Sequence, residues 1–149
     1  MGRWRLGIAL SLCGFSALAA GQDPACQAPG LKGRDYTIDR LMEIARSCRV
    51  PEIAELYYNR AQYRRQLEKF TRFERALYHY GDRENMAYIE SYRIFIGMAE
   101  AFAGERLSSL DKAALRQLNR AYERSGEIAE MRFRGYDLIA NRLERNLHL

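Results

Sequence analysis

Between Pro51 and Tyr80 the chain has no glycine and no further proline, and Gly81 follows directly. Proline is tolerated at the first helical position, where its missing N–H would have no partner anyway. Glycine most readily takes the left-handed conformation that ends a helix. The run therefore predicts one helix over 51–80, about 45 Å long at 1.5 Å per residue. Its apolar residues Ile53, Leu56, Tyr63, Leu67, Phe70 and Leu77 form a heptad-like seam, the pattern of long antiparallel bundle helices. A rod of this length needs neighbours along its flank, so the chain is committed to an all-α fold. Arg60 and Glu74 interrupt the seam. They are expected at its edge, stems packed and charged heads in water, with pairing to neighbouring helices as the alternative.

The flanking sequence supplies those neighbours. Thr37 can cap a first helix whose apolar face is Ile38, Leu41, Ile44, Ala45 and Cys48. Asp82 opens a third helix, expected to run to Ala103 and stop at Gly104. Met86, Glu90, Arg93, Gly97 and Glu100 form one narrow strip of it, and most of the remainder is apolar, including Tyr88, Ile89, Tyr92, Ile94, Phe95, Ile96 and Met98. A helix apolar around most of its circumference belongs at the centre of a bundle. Ser108 or Ser109 is expected to cap the next helix, with Asp111 near its positive end and Leu110, Ala114, Leu118 and Ala121 on its buried face. Ser125-Gly126 either breaks or kinks that helix, and Ile128, Met131, Leu138, Ile139 and Leu143 carry the spacing to the C-terminus. Four or five helices follow, and no strand, because the β-favouring residues are spaced by three and four rather than by two.

The start of the chain reads differently. Arg3 and Arg5 precede an uncharged stretch from Leu6 to Ala20, Ala17-Leu18-Ala19 has the small-residue spacing of a cleavage site, and Gly21-Gln22-Asp23-Pro24 follows. These are the three parts of a secretory signal, and the apolar run falls short of the ~20 residues that span a bilayer. The expected organisation is a cleavable signal over 1–20, an extended Gly- and Pro-containing arm over 21–36, and a single helical domain over 37–149. The product is expected to be periplasmic or secreted, with no transmembrane segment after cleavage. The chain has 24 basic and 19 acidic side chains. Removing Arg3 and Arg5 with the signal leaves an excess of three positive charges, too small to argue for nucleic acid. Cys13 departs with the signal, and Cys26 and Cys48 remain. Two thiols in an oxidising compartment predict a Cys26–Cys48 disulfide that tethers the arm to the first helix. Closing a loop of that length contributes roughly 3 kcal/mol in the chain-entropy account.

Leu118-Asn119-Arg120-Ala121-Tyr122, followed by Ser125-Gly126-Glu127-Ile128, resembles the middle of a tetratricopeptide repeat. The likeness covers about a third of one repeat, and Met131 and Gly135 depart from the pattern. No second copy lies one repeat upstream, and such arrays bury a core only from about three repeats. The segment is therefore read as ordinary helix-turn-helix chemistry. Ser109-Leu110-Asp111-Lys112 spells the nucleophile motif of penicillin-recognising serine enzymes, but the S-D-N and K-T-G elements of that family are missing. A capped helix start is the reading retained.

The remaining histidines, His79 and His148, have no metal-ligand spacing around them. No phosphate-cradling glycine loop occurs. No catalytic, cofactor-binding or metal-ligating residue is assigned, and the chain is read as a non-enzyme. One enrichment stands out: Tyr57, Tyr58, Arg60, Tyr63, Arg64 and Arg65 lie within nine residues. Tyrosine and arginine favour binding hot spots, so Tyr57, Tyr58, Arg60, Tyr63 and Arg64 are the candidate partner-binding residues. The alternative is that the tyrosines pack at the bundle rim while the arginines pair with glutamates. The expected role is binding another envelope or exported protein, as an accessory or chaperone-like factor. An immunity-type inhibitor of a toxin or envelope hydrolase is the next reading. A small-molecule or lipid carrier, with its pocket among the aromatics of the third helix, is the third. The oligomeric state is not legible.

Overall fold

The computed structural model describes Cys26, residues 36–107 and residues 111–147. Among these residues there are five helices and no strand: α1 (Ile38–Ser47), α2 (Pro51–Tyr80), α3 (Arg83–Leu107), α4 (Lys112–Arg132) and α5 (Tyr136–Leu147). The expected signal, most of the expected arm, Ser108, Ser109 and His148 lie outside the described residues.

Helix ends follow local chemistry. Thr37 Oγ1 accepts from the Arg40 N–H at 3.2 Å and starts α1. Pro51 is the first residue of α2, and Gly81 ends it with φ +68°. There the Asp82 N–H reaches the Leu77 carbonyl at 2.9 Å and the Gly81 N–H the Tyr78 carbonyl at 3.2 Å, which satisfies carbonyls the helix would otherwise leave open. Asp82 then serves α3, its carboxylate accepting from the Asn85 N–H at 3.1 Å. The expected stop at Gly104 is not used, and α3 continues to Leu107. Asp111, rather than Ser108 or Ser109, caps α4, accepting from Ala113 and Ala114 at 2.9 and 3.1 Å. Nor does Gly126 interrupt α4. The chain turns at Phe133–Gly135, where Gly135 takes φ +89°, so the turn expected by analogy with the repeat motif falls elsewhere.

The largest departure from expectation concerns which helix is central. That element is α2, which packs against α1, α3, α4 and α5. Its buried residues include Tyr57, Asn59, Arg60, Ala61, Phe73 and Ala76 as well as the seam positions Ile53, Leu56, Phe70 and Leu77. By contrast α3 buries Ile89, Tyr92 and Ile96 but leaves Ile94, Phe95 and Met98 exposed by half or more. Apolar composition marks a helix that can be covered; the number of its neighbours decides whether it is. The core where α2 meets α3 and the turn between α4 and α5 is aromatic. Phe70 meets Tyr92 edge-on at 5.1 Å and Phe133 at 5.3 Å, and Phe133 meets Tyr136 at 5.3 Å, separations at which edge-to-face packing adds to simple burial.

Polar contacts fix the register. Asn59 Nδ2 donates to Asn119 Oδ1 at 3.2 Å, and Asn119 Nδ2 donates to the Glu52 carbonyl at 3.2 Å. Glu74 pairs with Arg93 of α3, and Arg72 reaches Glu144 of α5 at 3.2 Å. Arg60 is not at a wet edge. It is 3% exposed, with its guanidinium 5.9 Å from the Tyr57 ring centre. Cys26 and Cys48 are joined by a disulfide with Cα atoms 5.4 Å apart, and Cys26 is fully buried.

Candidate functional site

The helix α4 has two flanks on either side of its buried stripe, and each borders a cavity. On the α3 side lies an apolar groove of about 580 Å³. Tyr88, Tyr92 and Phe95 of α3 form one wall, and Arg120, Arg124 and Ile128 of α4 form the other. A smaller hollow of about 150 Å³ continues along the same two helices, sharing Phe95, Gln117 and Ala121 and floored by Ala99, Ala103 and Ala114. The small residues leave room where larger ones would have closed the helix pair. From Tyr88 to Ala103 the groove follows α3 for about 22 Å at 1.5 Å per residue. Ile94 and Met98, on the exposed side of α3 beside it, widen the apolar surface.

Charge at this groove has one sign. Arg120 and Arg124 stand one turn apart, neither has an ion pair among the described residues, and no carboxylate is among the lining side chains. One end is held by a clasp: the Arg132 guanidinium stacks 4.6 Å from the Tyr88 ring and pairs with Glu84 at 2.8 Å. Burial raises the Tyr88 hydroxyl pKa, against the pull of Arg132. It raises that of Tyr92 well beyond the ordinary phenol range, so both phenols stay neutral and add no negative charge.

Beneath both flanks lies a buried polar knot. The Tyr122 hydroxyl donates to Glu100, a carboxylate 9% exposed on α3. Burial first, then the charge of Glu100, raises the Tyr122 pKa far above the ordinary value, with Arg60 opposing. The knot ties α2, α3 and α4 together.

The residues singled out from sequence are separated by the fold. Tyr57 and Arg60 are buried, at 1% and 3% exposure, and present no surface to a partner. The physical reason is that α2 is covered on several sides, so its tyrosine and arginine fill core positions. Tyr58 is half exposed, while Tyr63 and Arg64 are half-buried. Tyr58 and Tyr63 do come together, at the other flank of α4. His79 is exposed in the last turn of α2, its ring against Tyr80 at 5.1 Å. Sequence reasoning missed Phe95 as a surface residue and Arg120 and Arg124 as binding residues. The signal available was their spacing of four on α4, opposite Glu123, Glu127 and Glu130.

No helix among the described residues is long and apolar enough to cross a membrane. Comparison with protein families, characterised proteins and solved structures finds no match to this chain. The functional reading therefore stands on the chemistry of the groove.

Proposed function

We propose that this chain is an exported helical binding protein that seats an amphipathic, acidic-flanked helix of another envelope protein in the α3–α4 groove. The supporting observation is the combination of exposed Phe95 and Ile128 in an elongated apolar channel with unneutralised Arg120 and Arg124 on one wall. Exposed apolar patches of this kind mark interaction sites. A helix-in-groove partner is read through anchors one turn apart, which suits a groove about four turns long. Arginines facing solvent across an apolar floor select a carboxylate on the partner. This moves the binding surface from the tyrosine–arginine cluster on α2 to the next pair of helices. Export rests on Arg3, Arg5 and the Ala17-Leu18-Ala19 site. An accessory factor and an inhibitor would use the same contact, and the partner's identity separates them.

The test is fluorescence polarisation with two labelled amphipathic peptides, identical except that one carries glutamates and the other lysines beside the apolar stripe. The glutamate peptide should bind, and Phe95→Glu should weaken it at least about tenfold, as expected when a buried anchor is lost. Reversing both arginines, Arg120→Glu with Arg124→Glu, should invert the preference. Equal binding of the two peptides, or indifference to Phe95→Glu, would overturn the reading. The groove's volume also suits a carrier of an anionic amphiphile, since ligand cavities span about 300–1,000 Å³. A native mass spectrum showing a bound fatty acid would favour that function.

A further inference from the structure

The second flank of α4, facing α2, borders a different cavity of about 280 Å³. Four tyrosines from three helices line it: Tyr58 and Tyr63 of α2, Tyr92 of α3 and Tyr122 of α4. Tyr63 sits between two of the others, with ring centres 5.6 Å from Tyr92 and 5.7 Å from Tyr122. The charged residues of the lining are Glu123, Glu127 and Glu130, with no lysine or arginine among them. None of the three has an ion pair among the described residues. Tyr92 is 5% exposed, and its hydroxyl has no hydrogen-bond partner among the described residues. Tyr92 lines both this space and the apolar groove on the other flank.

We propose that this cavity binds a small organic ammonium ion, such as a quaternary ammonium or a short alkylamine. Aromatic faces attract such cations through the ring quadrupole, and more strongly when the cation is desolvated. Neighbouring carboxylates supply the opposite charge. An alkylammonium N–H can donate to the Tyr92 oxygen, whereas an anion here would face three glutamates. One turn away, burial, then a hydrogen bond to Glu123 and the charges of Glu123 and Glu52, push the Glu55 carboxyl above its ordinary range. The helical contact between α2 and α4, pinned by Asn59 and Asn119, holds the tyrosines and glutamates across a fixed gap. This cavity shares Tyr92 with the groove assigned to a partner helix, but the proposal does not depend on that assignment.

Calorimetric titration of the purified full chain with choline and, separately, propylammonium decides the matter and identifies which cation shape is preferred. The control ligand is the neutral isostere of choline, in which carbon replaces the quaternary nitrogen. At least one cation should bind, and the neutral isostere should bind about tenfold more weakly or not at all. Glu127→Gln with Glu130→Gln, both exposed and without a hydrogen bond or ion pair among the described residues, should weaken the cation about tenfold while leaving the thermal transition in place. Tyr63→Phe should retain binding and Tyr63→Leu should lose it, with circular dichroism confirming that the variant is folded. No heat from either cation at tens of millimolar, equal binding of the neutral isostere, or indifference to the double glutamine variant would each overturn the proposal.

Discussion

The two flanks of α4 are built from the same stretch of chain and have opposite chemistry. Toward α3, Phe95 and Ile128 leave an apolar channel edged by Arg120 and Arg124. Toward α2, tyrosines and glutamates surround a polar space about half as large. The difference follows from helix geometry: residues four apart share a flank, so two interleaved series of opposite charge can be sorted to two sides of one helix. One side is suited to an anionic partner and the other to a cation, and Tyr92 lines both cavities. A single helix can thus serve two recognition tasks without either charge series neutralising the other.

That contrast can be broken at its shared base. Arg60→Ala removes a buried guanidinium from beside Tyr57 and Tyr122, the tyrosine whose hydroxyl also holds the buried Glu100. A loss of about 3 kcal/mol is expected in urea unfolding, the scale seen when one member of a buried charged group is deleted. Both flanks should be damaged together. Replacing Arg60 by Met and Glu100 by Leu jointly should recover much of the loss, since hydrophobic substitutes for buried charges are often tolerated. Phe95→Glu should do the opposite. It should cost peptide binding at least about tenfold, or ~1.4 kcal/mol, with unfolding and ammonium binding unchanged. An equal effect on both ligands would mean that the flanks are not independent.

A smaller change sharpens the polar side. Gly126 lies inside α4 at ordinary helical geometry, and a methyl group there would meet nothing within 4 Å. Gly126→Ala should therefore raise stability by about 0.5–1 kcal/mol, because glycine is the costlier residue in a helix interior. Since Gly126 lines the polar cavity and not the apolar groove, only ammonium binding should change. The smallest effect concerns the end of the groove. Asp82 accepts from Asn85 and from the Tyr136 hydroxyl at 3.0 Å, and these bonds lower its pKa below the ordinary carboxylate range. A carboxylate with a lowered folded pKa contributes stability that is present above its unfolded pKa and is lost as pH falls through the folded value. Tyr136→Phe should raise the Asp82 pKa in an NMR titration. The stability gap from the parent should be widest at neutral pH and close in acid.

Helix boundaries were legible where a residue type has one job. Pro51, Gly81 and Thr37 end or begin helices where their chemistry requires it. Burial was less legible. Apolar content pointed to α3 as the centre, but α2 occupies it with Tyr57, Asn59, Arg60 and Ala76, residues that hydropathy alone does not place inside. Phe73, a core residue, fell outside the periodic seam because α2 is buried on more than one side and a single-stripe pattern cannot describe it; Phe133, also in the core, lies in the turn after α4, beyond any helical periodicity. The tyrosine–arginine cluster was visible as an enrichment, yet its members divide between the core and a cavity wall according to which neighbour each meets. The groove was legible only as a set of aromatics on the third helix. Its second wall depended on α4 running unbroken through Gly126, and nothing local distinguishes that glycine from one that ends a helix.

The paired amides of Asn59 and Asn119 have a mechanical consequence. An asparagine buried at a helix contact finds its partner at one sliding position only, and shifting α4 by a turn along α2 would strand both amides and release the Glu52 carbonyl. The two rods are latched like a tongue and slot, so a ligand arriving between them meets walls already spaced for it and spends none of its affinity on aligning them.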